Sequence, residues 1–158
     1  MPVPSLTIRA ATAADDAFIL GLVPRFAAFP LPAWRRRSEC LAGIRRDLER
    51  EFDAAAGSDW LFIAEGAAAT PLGFMRLQRT TDFFIAHSNC HLADLAVAAA
   101  HEGQGVGRAL LAHAERWARE HGCALLTLAV LPGNTRARAL YEAAGFDTDL
   151  LRLAKPLR

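Results

Sequence analysis

The chain has 158 residues, 53% hydrophobic and 22% charged, with a formal net charge of +1. That is the balance of a soluble globular protein and the length of one domain, taken as 1–158; so small a net charge excludes a global electrostatic case for nucleic acid or an anionic membrane, and any anion site must be local. There is no basic-then-apolar leader and no apolar run of the ~18 residues a membrane span needs, and Cys40, Cys90 and Cys123 show neither a disulfide framework nor metal spacing, so a reducing, cytoplasmic setting is expected.

In chain order, residues 6–9 form a short strand. Residues 11–29 then read as a helix, with Thr12 as cap, Asp15 and Asp16 in the first turn, and Phe18, Leu22 and Phe26 at helical spacing. Pro24 should kink or end it, and Pro30 and Pro32 mark a break. A second helix is predicted over 34–55, with Leu41, Ile44, Leu48 and Phe52 on one stripe and six arginines on solvated faces. "WLFIAEG" and "LGFMRLQRT" are strands joined by a turn at Pro71, an antiparallel hairpin. "CHLADLAVA" is a fourth, central strand. Leu110, Leu111, Ala114, Trp117 and Ala118 trace a helix that Gly122 stops. "ALLTLAV" is a buried fifth strand, parallel to the fourth because a helix links them. Residues 134–145 form a short last helix, and "FDTDLLRLAKPL" can return as a sixth strand. The class is α+β, a mixed, mostly antiparallel central sheet flanked by helices.

"AHEGQGVGRALL" spaces Gly103, Gly105 and Gly107 at every second position between a buried strand and a helix. Glycines let the backbone approach a ligand closely and take positive φ. The helix start adds unpaired N–H groups and a partial positive charge. Together they suit a pyrophosphate. Neither a Walker A loop nor the G-x-G-x-x-G dinucleotide fingerprint fits: Arg108 and Ala109 follow Gly107, and the glycine spacing is G-x-G-x-G.

"LADLAVAAAHEGQGVGRALL" resembles the central strand and acyl-CoA loop of the GCN5-related N-acetyltransferase (GNAT) superfamily. "LTLAVLPGNTRARALYEAAGF" resembles that family's next strand and helix, with Asn134, Ala137, Tyr141, Gly145 and Phe146 in its order, and "LTIRAATAADDAFI" resembles its opening. The resemblance implies a bulged central strand that splays from its parallel neighbour. It implies a pantetheine arm paired with Leu95, Ala96 and Val97, and a pyrophosphate on the amides of Glu102, Gly103, Gln104, Gly105, Val106, Gly107 and Arg108. Asn134 would hydrogen-bond near the pantetheine, and Arg108, Arg136 or Arg138 would add positive charge. Tyr141, also at the cofactor, would be the general acid that protonates the CoA thiolate. The implied activity is direct transfer of an acetyl group from acetyl-CoA to a primary amine of a small molecule or peptide. The alternative is a non-catalytic acyl-CoA-binding module with the same fold.

The attacking amine must lose a proton, so a base or a water chain is needed. His91 and Asp94 are the candidates. In a regular strand they point to opposite faces, so both reach one cleft only if a bulge intervenes. Phe26, Phe29, Trp34 and Phe84 are candidate acceptor-pocket walls. No metal-ligand cluster is visible, and the only cofactor implied is acetyl-CoA. No nucleic-acid or membrane partner is expected, and a homodimer is left open. Glu102 stands where the family usually has Gln or Arg; a carboxylate facing a diphosphate repels it, so its side chain is expected to turn outward.

Overall fold

The structure is a computed structural model that describes residues 5–54 and 60–158. Five strands make one sheet in the order β1-β2-β3-β4-β5: β1 (Thr7–Ala10), β2 (Trp60–Glu65), β3 (Pro71–Thr81), β4 (Ser88–Val97) and β5 (Leu126–Leu128). The first four pair antiparallel, and β5 pairs parallel to β4. Helices α1 (Asp16–Gly21) and α2 (Arg37–Asp53) cover one face; α3 (Val106–Glu120) covers the other, and α4 (Thr135–Ala143) follows β5. The expected α+β class and mixed sheet are found.

Both faces are packed, so β3 is buried without alternation from Leu72 to Leu77. Met75 and Leu77 face Leu110, Leu111, Ala114 and Trp117 of α3. Phe74 lies with Ile19, Leu48 and Ile63 on the other face. The α3 stripe recurs at three- and four-residue steps, and Gly122, at φ 68°, turns the chain out of the helix. Cys90 is buried between sheet and α3, and burial pushes its thiol up to about 12, so it packs as a neutral residue.

Several elements are shorter than the sequence predicts. The helix expected over 11–29 is a 3-10 turn at Ala13–Asp15, then α1, then a second 3-10 turn at Val23–Ala27. Pro24 lies at the start of that last turn, where its missing N–H costs nothing. The second helix starts at Arg37 rather than at Trp34, and its expected end at Ala55 lies outside the described residues. Arg37 Nε donates to the Ala27 carbonyl at 2.6 Å and tethers this helix to the turn before it. β5 shrinks to three residues and is half-buried, not buried.

The sixth strand does not form. After Phe146 the chain has no secondary structure and stays exposed. No helix among the described residues is long and apolar enough to cross a membrane.

Candidate active site

β4 and β5 touch only at Cys90, His91 and Leu92, opposite Leu126, Thr127 and Leu128. Beyond them the two strands part, and Ala93 to Val97 keep β3 on one edge with no strand on the other. The register slips inside β4: Leu92 pairs with Leu77 and Asp94 with Arg76, which leaves Ala93 as the extra residue of a bulge. Leu95, Ala96 and Val97 thus lie on an edge that β5 does not reach, where an extended amide chain can pair with backbone.

That wedge opens into a cleft of about 390 Å³ lined by Leu95, Ala96, Val97, Gly103, Gly105, Val106, Gly107 and Arg108, with Asn134, Ala137 and Leu140 opposite. Gly103 and Gly105 sit at φ 72° and 82°, where a side chain would be strained. Gly107 faces α4, and a Cβ there would lie 3.1 Å from Leu140. α3 has no side-chain cap, and none of the N–H groups from Gly103 to Arg108 donates to a backbone acceptor among the described residues. A row of uncommitted amides at a helix start fits a diphosphate.

α4 begins at Asn134, whose Oδ1 accepts from Ala137 N at 3.2 Å while the residue also borders the cleft. It is both cap and wall. The preceding Gly133 lies so close to the Pro30 carbonyl that no Cβ would fit. Two turns on, Tyr141 is half-buried with its ring edge-on to Phe146 at 5.8 Å. Its hydroxyl has no hydrogen-bond partner among the described residues. Burial, and then the charge of Asp94, raise its pKa above the usual phenol value, so the proton stays on at neutral pH. Tyr141 is not part of the cleft lining itself.

The expectation for Glu102 is corrected. Its carboxylate does not turn outward: it pairs with Arg25, and Arg136 Nη1 donates to its Oε2 at 2.5 Å. All three residues line the cleft. Two cations within reach draw the acid in, a stronger pull than the solvent it leaves. Arg25, on the turn after α1, has no sequence signal; only the fold brings it here. Arg138 is elsewhere, donating to the Pro132 carbonyl at 3.2 Å, and Gln104 donates to the Ala100 carbonyl at 3.3 Å. Neither side chain lines the cleft, whereas His101 does.

The bulge at Ala93 resolves the geometry of the two base candidates. It turns Asp94 to the same face as His91, toward α1 and α2. Arg76 Nε donates to Asp94 Oδ2 at 2.6 Å, and Arg76 Nη2 donates to Asp47 Oδ2 on α2 at 2.5 Å. Arg76 and Asp94 are buried. A proton arriving on Asp94 would have to displace that guanidinium. His91 has no such commitment. Burial holds its pKa below the ordinary value, against the pull of Asp94, so the ring is neutral at pH 7. Its Nδ1 lies 2.9 Å from Thr127 Oγ1. If Nδ1 carries the proton and donates to Thr127, Nε2 is the free acceptor.

Of the four aromatic wall candidates, Phe26 lines the cleft and packs edge-on against Phe74 at 6.1 Å. Phe29 and Trp34 lie in the join before α2 and do not line it. Phe84 is 71% exposed on the β3–β4 turn, at the opposite end of β4 from the glycine loop.

The model of the acetyltransferase (GNAT) family matches residues 29–146. A streptothricin acetyltransferase from Streptomyces lavendulae is 34% identical over 97 residues, 60% of this chain and 49% of that protein, so the chain spans about half the length of this relative. An aminoglycoside N(6')-acetyltransferase type 1 from Stenotrophomonas maltophilia is 29% identical over 144 residues, 89% of this chain and 86% of that protein. Among solved structures, AAC(6')-Iy with the bisubstrate analogue CoA-S-monomethyl-acetylneamine superposes with a TM-score of 0.68 at 22% identity, over 97% of this chain and 98% of that one. At that identity the likeness establishes the fold.

Proposed function

The chain belongs to the acetyltransferase (GNAT) family, and from that premise we propose that it moves an acetyl group from acetyl-CoA directly to a primary amine of a small molecule or peptide. The observation that carries this reading is the cleft itself. A splayed strand edge, six uncommitted loop amides and two arginines converge there, with a protonated tyrosine on the bordering helix.

Acetyl-CoA would supply the activated acyl group, and the protein supplies position and charge. The amides of Gly103 to Arg108 hold the phosphates, with Arg25 and Arg136 beside them engaged by Glu102. The free edge of Leu95, Ala96 and Val97 pairs with the pantetheine amides and fixes the thioester. A backbone N–H near Val97 polarises the thioester carbonyl, an effect often worth about 3 kcal/mol. His91 Nε2, directly or through one water, takes the proton of the attacking amine. Tyr141 gives its proton to the departing thiolate. Burial, and then the charge of Asp94, keep that phenol protonated, and Asp94 is itself held by Arg76.

A calorimetric titration with acetyl-CoA, followed by thiol release over a panel of primary amines, tests the reading. The relatives put aminoglycosides and streptothricin first on the panel. Binding and release on at least one amine is expected. Binding with release on none favours the non-catalytic module, and absence of binding removes both. The acid limb of kcat/KM should fall below the usual histidine value, because activity is lost as pH drops through the lowered His91 pKa. His91→Gln should flatten that limb; an unchanged limb means that His91 is not the base.

Glu102→Gln is expected to tighten acetyl-CoA binding by about tenfold, equivalent to ~1.4 kcal/mol. It removes a negative charge from the anion site and frees Arg25 and Arg136 for phosphate; solvent at the cleft mouth keeps the gain well below the unscreened Coulomb value. The gain should shrink with added salt. Weaker binding in the variant would mean that Glu102 serves to hold the two arginines in place.

A further inference from the structure

Leu126 and Leu128 of β5 pack into the core against α3, as Cys90 and Leu92 of β4 do. Alternation therefore turns Thr127 and His91, which lie between them, to the other face of the sheet. The two are partners in the β4–β5 register, one step before Leu92 and Leu128, the last pair before the strands part. They stand at the closed end of the wedge. Thr127 is the middle residue of the paired stretch, so its backbone is fixed on both sides, and its branched side chain has few rotamers. Its hydroxyl is a rigid point of attachment.

That hydroxyl has one partner among the described residues, His91 Nδ1 at 2.9 Å. The separation is the commonest one for an N–H donating to oxygen. The ring's other nitrogen, Nε2, has no partner among the described residues and is not sealed from solvent. The direction of the one bond decides what Nε2 can do. With the hydroxyl as donor, Nε2 carries the ring hydrogen and cannot accept a proton; with Nδ1 as donor, Nε2 keeps its lone pair. The charged groups near the ring are Asp94 on β4 and Arg76 on β3, which pair with each other, and Asp47 of α2 lies beyond Arg76. Thr127 adds no charge of its own, so the ring stays neutral at pH 7.

We propose that Thr127 is the positioning residue for His91: its hydroxyl accepts the Nδ1 proton and holds the ring in the one neutral tautomer whose Nε2 can take a proton from an acceptor amine. This rests on the reading of His91 as the base and deepens it. Nδ1–H stays on Thr127 Oγ1 throughout. The amine nitrogen bonds to the thioester carbonyl carbon, and its proton passes to Nε2. Tyr141 supplies the proton of the departing thiolate, and the imidazolium returns its Nε2 proton to water after the amide has formed.

Nitrogen-15 NMR of the histidine side chains in the ligand-free protein reads the tautomer without turnover. The chain has five histidines, and the signals lost in His91→Gln identify the ring. His91 is expected to be protonated on Nδ1 in the parent and in Thr127→Ser, and to become a mixture of both tautomers in Thr127→Val, which keeps the shape and loses the hydroxyl. In thiol release, Thr127→Val should lower kcat by about 10–100-fold, less than loss of the base itself because a fraction of the rings stays correct, with KM for acetyl-CoA within about twofold and Thr127→Ser within about threefold of the parent. A threonine that only staples β4 to β5 would move stability and acetyl-CoA KM rather than kcat. A parent ring protonated on Nε2 overturns the proposal, and so does a valine variant that keeps the Nδ1 tautomer or turns over as fast as the parent. If Thr127→Val fails to fold, the spectra of the parent and of Thr127→Ser decide. If no amine supports release, the reading of the activity fails, while the tautomer still shows whether Thr127 fixes the ring.

Discussion

Tyr141→Phe should cut turnover by about 10²–10⁴-fold, the usual worth of a placed general acid, while acetyl-CoA affinity stays within about twofold of the parent. The two halves of this expectation have separate origins. The hydroxyl is the only part removed, and Tyr141 does not line the cleft that holds the donor, so binding has little to lose. The proton is what chemistry loses. Tyr141 has no competing hydrogen bond among the described residues, and burial and Asp94 keep the phenol protonated through neutral pH. The measurement is single-turnover thiol release, where product departure cannot mask the chemical step. Unchanged single-turnover release would leave Tyr141 as a packed aromatic and give the proton to water.

Arg76→Ala is expected to lower the free energy of unfolding by about 3–5 kcal/mol, because removing one member of a buried ion pair strands the other. Nearly all of this falls on Asp94, whose side chain is 9% exposed; Asp47 is 44% exposed and regains water. Denaturant unfolding should show the loss. The paired substitution Arg76→Met with Asp94→Leu should recover most of it, since a well-packed apolar pair often matches a buried ion pair. If the single variant is as stable as the parent, Arg76 is not the counter-charge of Asp94. The paired variant also removes the negative charge that raises the Tyr141 pKa, so the alkaline limb of turnover should move down in pH.

What could be read in advance was what is written locally. The glycine spacing, the strand before it, and the run from Asn134 through Tyr141 to Phe146 each lie within about twenty residues, and chain geometry alone turns them into a cradle and a bordering helix. A bulge in the central strand was implied by the resemblance, but its place at Ala93 was not legible, because it depends on how Arg76 and Leu77 meet β4 across the sheet. It decides that His91 and Asp94 share a face of the sheet. Arg25 and Asp47 were invisible for the same reason: each acts on a partner more than twenty-five residues away. The run "FDTDLLRLAKPL" predicts a sixth strand and none forms there, because local sequence says that a segment can extend and not that the sheet offers it a neighbour.

Gly133 and Pro30 lie against each other. Their backbones abut so tightly that only glycine fits, and they join two parts of the molecule with different roles. Pro30 belongs to the stretch that carries Arg25 and Phe26; Gly133 sets the position of Asn134 and the first turn of α4. The two walls of the cleft are thus riveted at one point. Displacing one to admit a bulkier acceptor drags the other, and with it the grip on the donor. In such a molecule acceptor preference and donor affinity are not independent adjustments: a substitution that widens the range of amines is paid for in coenzyme binding.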